Sequence, residues 1–371
     1  MPDRDTITRS AGERPPAGER PTESGFAGPM PSRLTLVDVA RGAGVSLATV
    51  DRVINHRPGV SKRAIAKVEE SLALLGYRPD PVAAQLARRS SFRFCFVLPT
   101  GSNSFMRQLA EQIQQTGDWL KEQRAFVDVR QVDIFDPQAL ARALDNLGDT
   151  YQGIAVVALD HPAIREAIDA LTDRGIEVVT LVSDVPTSRR SRFIGIDNPS
   201  AGRTAATLMG RFAGAKQGPV ALIAGSLALR DHAERQFGFQ QVIASDYPGL
   251  TVLPAMEGRD DSNICRAVTA RLLAQYPDLV GIYNVGAGTR GVADALEASG
   301  RAQDVIFIGH ELTPHSRRFL LRGVMDVVIN QDAGHEARSA GRILLARCLN
   351  QPIVADQERI RIDIFVRDNL P

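Results

Sequence analysis

Arg52 is the side chain in this 371-residue sequence whose chemistry and setting best suit the reading of a nucleic acid. It lies in Leu34 to Asn55, Leu-Thr-Leu-Val-Asp-Val-Ala-Arg-Gly-Ala-Gly-Val-Ser-Leu-Ala-Thr-Val-Asp-Arg-Val-Ile-Asn. A guanidinium there can fork onto the O6 and N7 of a guanine, or fall back on a phosphate contact. Two other stretches imitate chemistry. Gly286-Ala-Gly-Thr-Arg-Gly291 fits G-x-G-x-x-G between a strand and a helix, with Glu311 about twenty residues on, as a dinucleotide site requires. That fingerprint normally opens a nucleotide domain, and here it comes late, so it reads as a tight strand-to-helix turn. His310-Glu-Leu-Thr-Pro-His315 resembles a zinc-protease motif, but its histidines are five apart with Pro314 between them, and H-E-x-x-H needs i and i+4 on one helix face. No Gly-x-Ser-x-Gly elbow is present and no Ser-His-Asp or Cys-His order stands out. The expectation is a protein with no catalytic residue, metal site or cofactor.

The elements around Arg52 can be read from periodicity and punctuation. A first helix should start after Thr35, with Asp38 in its first turn and Leu36, Val39 and Ala40 on its inner face. Gly44 suits the tight turn, and Val45 packs inward. Ser46 caps a second helix that turns Val50 and Val53 to the core and leaves Leu47, Ala48, Asp51 and Arg52 outside. A third helix runs from the Ser61 cap to Gly76, with Ile65, Val68, Leu72 and Leu75 as one apolar stripe. Asp80 as N-cap and Pro81 at the first helical position then prime a short helix, Val82 to Arg89, too short to be stable alone.

Composition agrees with this division. From Arg33 to Ser90 there are ten Lys or Arg against five Asp or Glu, which leaves the remainder of a chain of net charge +1 mildly acidic. A basic module suits a polyphosphate; an acidic body does not. Residues 1–33 are rich in Pro, Gly, Ser, Arg and Glu and read as a disordered, inert tail. No apolar run approaches the roughly 18 to 20 residues that span a membrane, and no signal-peptide core opens the sequence, so a soluble cytoplasmic protein without a membrane partner is expected. Cys95, Cys265 and Cys348 lack metal-ligand spacing and read as buried, reduced thiols. His161, His232 and His335 read as surface or packing residues.

Leu34 to Ser91 resembles the N-terminal headpiece of the lactose-repressor/galactose-repressor (LacI/GalR) family. The resemblance rests on the helix-turn-helix, the Val60-Ser61 entry to the third helix, the Gly-Tyr-x-Pro junction and the Val82-Ala-Ala-Gln-Leu-Ala hinge. It implies that Leu47, Ala48 and Arg52 face bases, and that Thr35, Leu36, Ser46, Thr49, Asn55 and Ser61 also belong to the DNA-binding set, Ser46, Thr49, Asn55 and Ser61 mostly facing phosphates. It further implies that Ala83 and Leu86 enter the minor groove, Leu86 as a wedge that bends the operator centre at a cost of a few kcal/mol. One departure concerns Asp51, where the family usually carries serine: a carboxylate near phosphate is unfavourable unless Arg52 or a cytosine amine answers it.

After Phe92 the texture changes to apolar strands alternating with helices. The strands are Phe94 to Leu98, Val127 to Val132, Ile154 to Ala158, Val178 to Val182, Val220 to Ala224, Thr251 to Leu253, Leu279 to Tyr283 and Val305 to Ile308. About 280 residues of this pattern imply two lobes with a ligand between them at the strand C-terminal ends. The predicted fold is an all-α helix-turn-helix headpiece (34–79), a hinge helix and linker (80–91) and an α/β body (92–371) of two doubly wound parallel-sheet lobes. This body resembles the type I periplasmic sugar-binding fold of the same repressors. The resemblance implies lobe one at 92–197 and 326–350, and lobe two at 198–325 and 351–371. It also implies an effector set of Asn103, Phe105, Ser183, Asp184, Asp197, Asn198, Arg235, Asn284, Glu311 and Gln331. Carboxylate, amide and guanidinium groups suit hydroxyls, and Phe105 would stack an apolar sugar face. Glu311 stands where the family has aspartate, and the extra methylene shifts where the carboxylate reaches, opening the site to ligands other than common hexoses and pentoses.

The function implied is a sequence-specific transcriptional regulator, in the first instance a repressor. It would bind a pseudo-palindromic double-stranded operator as a homodimer or tetramer, under control of a small polar effector, a sugar or derivative. Two rivals stay open: a sugar-binding protein for transport or sensing, and a nucleotide-dependent enzyme.

Overall fold

The structure, a computed structural model, describes residues 34–54, 58–77, 91–101 and 103–371. The chain separates into two compact units, Met1–Asp80 and Pro81–Pro371.

In the first unit, helix α1 (Leu36–Ala43) is opened by Asp38, whose carboxylate accepts hydrogen bonds from the Thr35 backbone N–H at 2.9 Å and its hydroxyl at 2.7 Å. These bonds hold the Asp38 carboxyl below its ordinary value. Gly44 ends the helix at φ 64°, a left-handed conformation that costs a side-chain-bearing residue about 1 kcal/mol or more. Helix α2 (Leu47–Ile54) follows within three residues, and the Thr49 N–H donates to Ser46 Oγ at 3.2 Å. Helix α3 (Lys62–Leu75) is capped by Ser61, which accepts from the Ala64 N–H at 3.3 Å. Val39, Ala40, Ala43, Val50 and Val68 form the buried centre, with Leu72, Leu75 and Tyr77 packed around it. A core this small depends on its few polar ties, and the buried Ser71 hydroxyl donates to the Val39 carbonyl at 3.1 Å.

The second unit holds two sheets. Strands β1 (Phe92–Pro99), β2 (Ala125–Val132), β3 (Gly153–Val156), β4 (Glu177–Leu181) and β5 (Arg192–Ile194) form a parallel sheet in the order β2-β1-β3-β4-β5. They alternate with helices α4 (Ser104–Glu122), α5 (Pro137–Asp145) and α6 (Pro162–Asp173). The chain then crosses into α7 (Asn198–Ala213), β6 (Gly218–Ala224), α8 (Arg230–Asp246), β7 (Leu250–Val252), β8 (Met256–Glu257), α9 (Ser262–Gln275), β9 (Gly281–Asn284), α10 (Thr289–Ala298), β10 (Ile306–His310), α11 (Pro314–Arg322) and β11 (Val327–Gln331). Helix α12 (Ala333–Cys348) and strand β12 (Ile362–Phe365) close the chain. The second sheet runs β12-β11-β10-β9-β6-β7, with β8 beside β6. All its pairings are parallel except β12, which lies antiparallel on β11. The inner strands β1, β3, β4, β6, β9 and β10 are largely buried on both faces, which is why they read as apolar runs.

The lobe boundary expected at Asp326 is displaced. Strand β11 pairs with β10, so residues 327–331 belong to lobe two, and the chain recrosses at Asp332. Helix α12 then packs against α4 and the first sheet, with Gly341 so near Leu120 that a Cβ there would stand 3.0 Å from its side chain. Strands β5, β8, β11 and β12 were not anticipated in sequence. Among the described residues no helix is long and apolar enough to cross a membrane.

Candidate functional site

On the headpiece, the outward face of α2 carries Leu47, Ala48 and Arg52, all exposed, behind the exposed Ser46. Leu47 is 48% exposed at the start of the helix. Arg41, Lys62, Arg63 and Lys67 are exposed as well. Ser46 and Ser61 accept from the Thr49 and Ala64 N–H groups at the start of their helices, and the Thr35 hydroxyl donates to the Asp38 carboxylate. Thr49 is half-buried, its hydroxyl 2.9 Å from that of Ser46. Leu36 is half-buried against the headpiece core, as its place on the inner face of α1 implies, and Val37, 50% exposed, is the outward residue of that turn. Asn55, Ala83 and Leu86 lie outside the described residues.

In the body, a cavity of about 140 Å³ opens between the lobes at the C-terminal ends of the strands. That is many times the roughly 10–15 Å³ that admits one water. Its position follows from parallel topology, in which the parallel strands of each sheet end on the same side. Arg235 reaches it because α7 and α8 touch backbone to backbone: a Cβ at Gly202 would stand 2.0 Å from the Arg235 carbonyl, and one at Gly238 2.2 Å from that of Pro199. The contact sets Asn198 beside Arg235, and Arg235 Nε donates to Asn198 Oδ1 at 2.9 Å while Nη1 donates to the Val285 carbonyl at 2.8 Å. Nη2, 3.8 Å from Asp231 Oδ2, makes no hydrogen bond among the described residues.

Glu311 follows β10 at φ 68°, 8% exposed, with Oε1 accepting from Gln331 Nε2 at 2.8 Å. Burial pushes its carboxyl up to about 7, against the opposing pull of Arg235 and Gln331. Burial and the Arg235 charge hold the His310 imidazole well below its ordinary value, and its Nε2 lies 2.8 Å from the Tyr283 hydroxyl. Several polar atoms of the wall have no hydrogen-bond partner among the described residues: Ser183 Oγ, Asp231 Oδ1, His310 Nδ1, Gln331 Oε1 and Arg235 Nη2. Buried polar atoms normally have partners, so five without one on residues that line a single cavity set this wall apart from an ordinary core. The lobe-one wall is mostly apolar, contributed by Phe105, Met106, Ile134 and Phe135.

Of the ten expected effector residues, the structure brings Asn103, Phe105, Ser183, Arg235, Glu311 and Gln331 to the cavity. It does not bring Asp184, which is bound to Arg190 through both carboxylate oxygens and also accepts from Thr180 and the Val185 N–H. Asp197 is exposed and caps α7 by accepting from the Ser200 N–H at 2.8 Å. Asn284 is fully buried and ties the following turn, donating to the carbonyls of Gly286 and Ala287. Asn198 stands behind Arg235 as its positioning partner.

Sequence reasoning missed Asp231, His232, Phe135, Arg259, Asp260 and His310 as parts of the wall. Of the two roles expected for His232, surface or packing, burial at 4% exposed excludes the surface one; its Nδ1 accepts from the Ser226 N–H at 3.3 Å, and it lines the cavity with Nε2 3.6 Å from Asp231 Oδ2. Asp231 was accessible from its i,i+4 spacing to Arg235; the others carry no local signal. Asp260 bridges the lobes, accepting from Asn103 Nδ2 at 3.1 Å and from the Ala287 N–H at 2.9 Å. Four of the six described non-glycine residues with left-handed backbones, Val182, Arg259, Asp260 and Glu311, stand in this wall. Such conformations cost on the order of 1 kcal/mol each and gather at functional sites.

The G-x-G-x-x-G stretch serves packing. A Cβ at Gly291 would stand 1.8 Å from the Ser262 carbonyl and one at Gly288 2.3 Å from Cys265 Sγ, so these glycines let α10 lie against α9. The Ala287 N–H within it is taken by the Asp260 carboxylate, which would repel a phosphate.

Comparison with known proteins agrees with both units. A model described as periplasmic binding protein domain matches residues 94–351, and one described as bacterial regulatory proteins, lacI family, matches residues 35–80. Catabolite control protein A of Priestia megaterium is 41% identical over 88 residues, 24% of this chain and 26% of that protein. The sucrose operon repressor of Lactococcus lactis subsp. lactis is 42% identical over 82 residues, 22% of this chain and 26% of that protein. The chain thus spans about a quarter of the length of these relatives. A crystal structure of a glucose-galactose binding protein from Geobacillus stearothermophilus, 21% identical, superposes with a TM-score of 0.69 over 76% of this chain and 99% of that one, a likeness of fold.

Proposed function

The chain belongs to the LacI family of bacterial regulatory proteins, with a periplasmic binding protein domain as its body, and from that premise we propose that it is a sugar-responsive transcriptional repressor. The observation that carries the proposal is the pairing, in one chain, of an exposed reading face on α2 with a cavity whose wall carries buried polar atoms that have no partner among the described residues. The first is suited to base edges and the second to a small polar metabolite. Repression acts through a homodimer, which can pair further into a tetramer, on a pseudo-palindromic operator. A chromosomal operator puts its site of action in the cytoplasm. No catalytic step is part of this reading.

The mechanism is a population shift. Ligand in the cavity favours one relative placement of the lobes, and Asp260 holding Asn103 is a contact that such closure would make or break. A coupling of about 1 to 3 kcal/mol changes operator occupancy from several-fold to a hundredfold. Linkage permits the ligand either to release the protein or to recruit it.

The second reading, a sugar-binding protein for transport or sensing, is favoured by the likeness of the body to the glucose-galactose binding protein over nearly all of that chain. Recovery of genomic fragments bound by the full chain separates the two. A repressor selects a two-fold symmetric sequence, with affinity falling by a log-log salt slope of about −0.9 per phosphate neutralised. No sequence preference, or a flat salt profile, leaves the transport reading. Arg235→Ala should keep operator binding and abolish the response to effector; a variant that still responds moves the ligand elsewhere.

A further inference from the structure

Taking the cavity as the effector site, the charges around it constrain what enters. Four carboxylates stand in its wall, but they are not equivalent. Asp260 is held by Asn103 and by the Ala287 N–H, and Asp261 caps α9 by accepting from the Asn263 and Ile264 N–H groups. Arg259 is exposed, its guanidinium 5.8 Å from the centre of the Phe135 ring, and an exposed charge is screened by solvent.

The deep end is different. Asp231 and Glu311 are 3% and 8% exposed, and Glu336, in the first turn of α12 behind the wall, is fully buried with neither oxygen partnered among the described residues. Arg235 is the one guanidinium among them, and two of its three nitrogens are spent on Asn198 and Val285. His310, held neutral by burial, adds no charge, and His232 faces Asp231 at 3.6 Å. Three buried carboxyls therefore share one buried guanidinium. Excess buried negative charge is unfavourable, and it is relieved by taking up protons or a cation. The upward displacement of Glu311 and Glu336 is the first form of relief. Asp231 Oδ1 and Gln331 Oε1, on two residues of the cavity wall, are buried acceptors with no hydrogen-bond partner among the described residues. They await donors.

We propose that the effector is a small polyhydroxylated amine, an amino-sugar type of ligand, whose ammonium group sits between Asp231 and Glu311 with Gln331 Oε1 as a third acceptor. Its hydroxyls meet Arg235 Nη2 and Ser183 Oγ, and its apolar face lies on Phe105. An anionic ligand, such as a sugar phosphate or sugar acid, is disfavoured by the same carboxyls.

The test is a thermal-shift and calorimetric panel on the full chain, using D-glucose, D-galactose and D-mannose, their 2-amino and N-acetylated counterparts, and the 6-phosphates. The expected result is that at least one amine binds tenfold or more tightly than its neutral parent and that N-acetylation removes the advantage. Glu311→Gln, which keeps size and removes charge, should weaken that amine at least tenfold more than it weakens the neutral parent. A neutral sugar or a phosphate as the tightest binder, a panel in which no amine shifts the melting temperature, or an amine indifferent to Glu311→Gln overturns the assignment. Arg235→Ala distinguishes the two levels of failure. If it abolishes binding of a neutral sugar, the cavity reading stands and the amine falls; if it leaves every binder untouched, the cavity reading falls too.

Discussion

Replacing Glu311 by glutamine should stabilise the ligand-free protein at pH 8 and leave it nearly unchanged at pH 5. The carboxyl is 8% exposed and is pushed from an ordinary 4.5 to about 7, with burial the largest cause. A raised carboxyl holds its proton more firmly folded than unfolded. Its contribution is therefore fully present below pH 4.5, is lost as pH rises toward 7, and is absent above that. Each unit of displacement is worth about 1.4 kcal/mol, so the loss across the window is about 3 kcal/mol. For a body of this size that corresponds to a fall in melting temperature of roughly 5 to 10 °C. Glutamine can keep a hydrogen bond with Gln331 and has no charge to bury. Glu336 and Asp326 are also raised, so the total pH profile mixes several groups. The difference between wild type and Glu311→Gln isolates the one. Chemical or thermal denaturation at half-unit steps from pH 5 to 8 measures it. A difference that is flat across that range refutes the argument that desolvation governs this carboxyl.

Two further outcomes test the architecture and the reading face. Gly202→Ala should lower stability by about 1 to 3 kcal/mol or more, because its Cβ would stand 2.0 Å from the Arg235 carbonyl and force α7 from α8. It should also weaken any ligand that depends on Arg235, measured by denaturation and calorimetry together. Arg52→Ala should cost about 1 to 3 kcal/mol on the selected operator if the guanidinium reads a guanine, with little change on random DNA; equal losses on both would reduce it to a phosphate contact.

The headpiece was largely legible because its signals are local. Thr35 with Asp38, Gly44, Ser46 and Ser61 act within a turn of their own positions, and the 3.6-residue repeat of Val39, Val50, Val53, Val68 and Leu72 states which face is inside. The eight apolar runs of the body were legible for a similar reason, since a strand covered on both faces can hardly be anything but apolar. Strands β11 and β12 were not, because Val327–Gln331 is defined by pairing with distant β10, and Ile362–Phe365 is an antiparallel edge with polar residues between apolar ones.

The polar residues of the cavity divide along the same line. Asn103, Phe105, Ser183, Arg235, Glu311 and Gln331 could be placed at a cleft through the resemblance of the body to the periplasmic sugar-binding fold, with which the chemistry of their types agrees. Whether a residue at a strand end serves ligand or scaffold depends on what faces it across the fold. Asp184 is claimed by Arg190 and Asn284 by the turn after β9, while Asp231 and His232 are turned into the cavity by a helix crossing that rests on two glycines. By itself the sequence determined that a basic helix-turn-helix precedes a two-lobed α/β body, because periodicity, caps and charge act over a few residues. Tertiary structure alone decided which carboxyls lie buried together around Arg235, because desolvation and charge balance belong to residues brought together from separate elements.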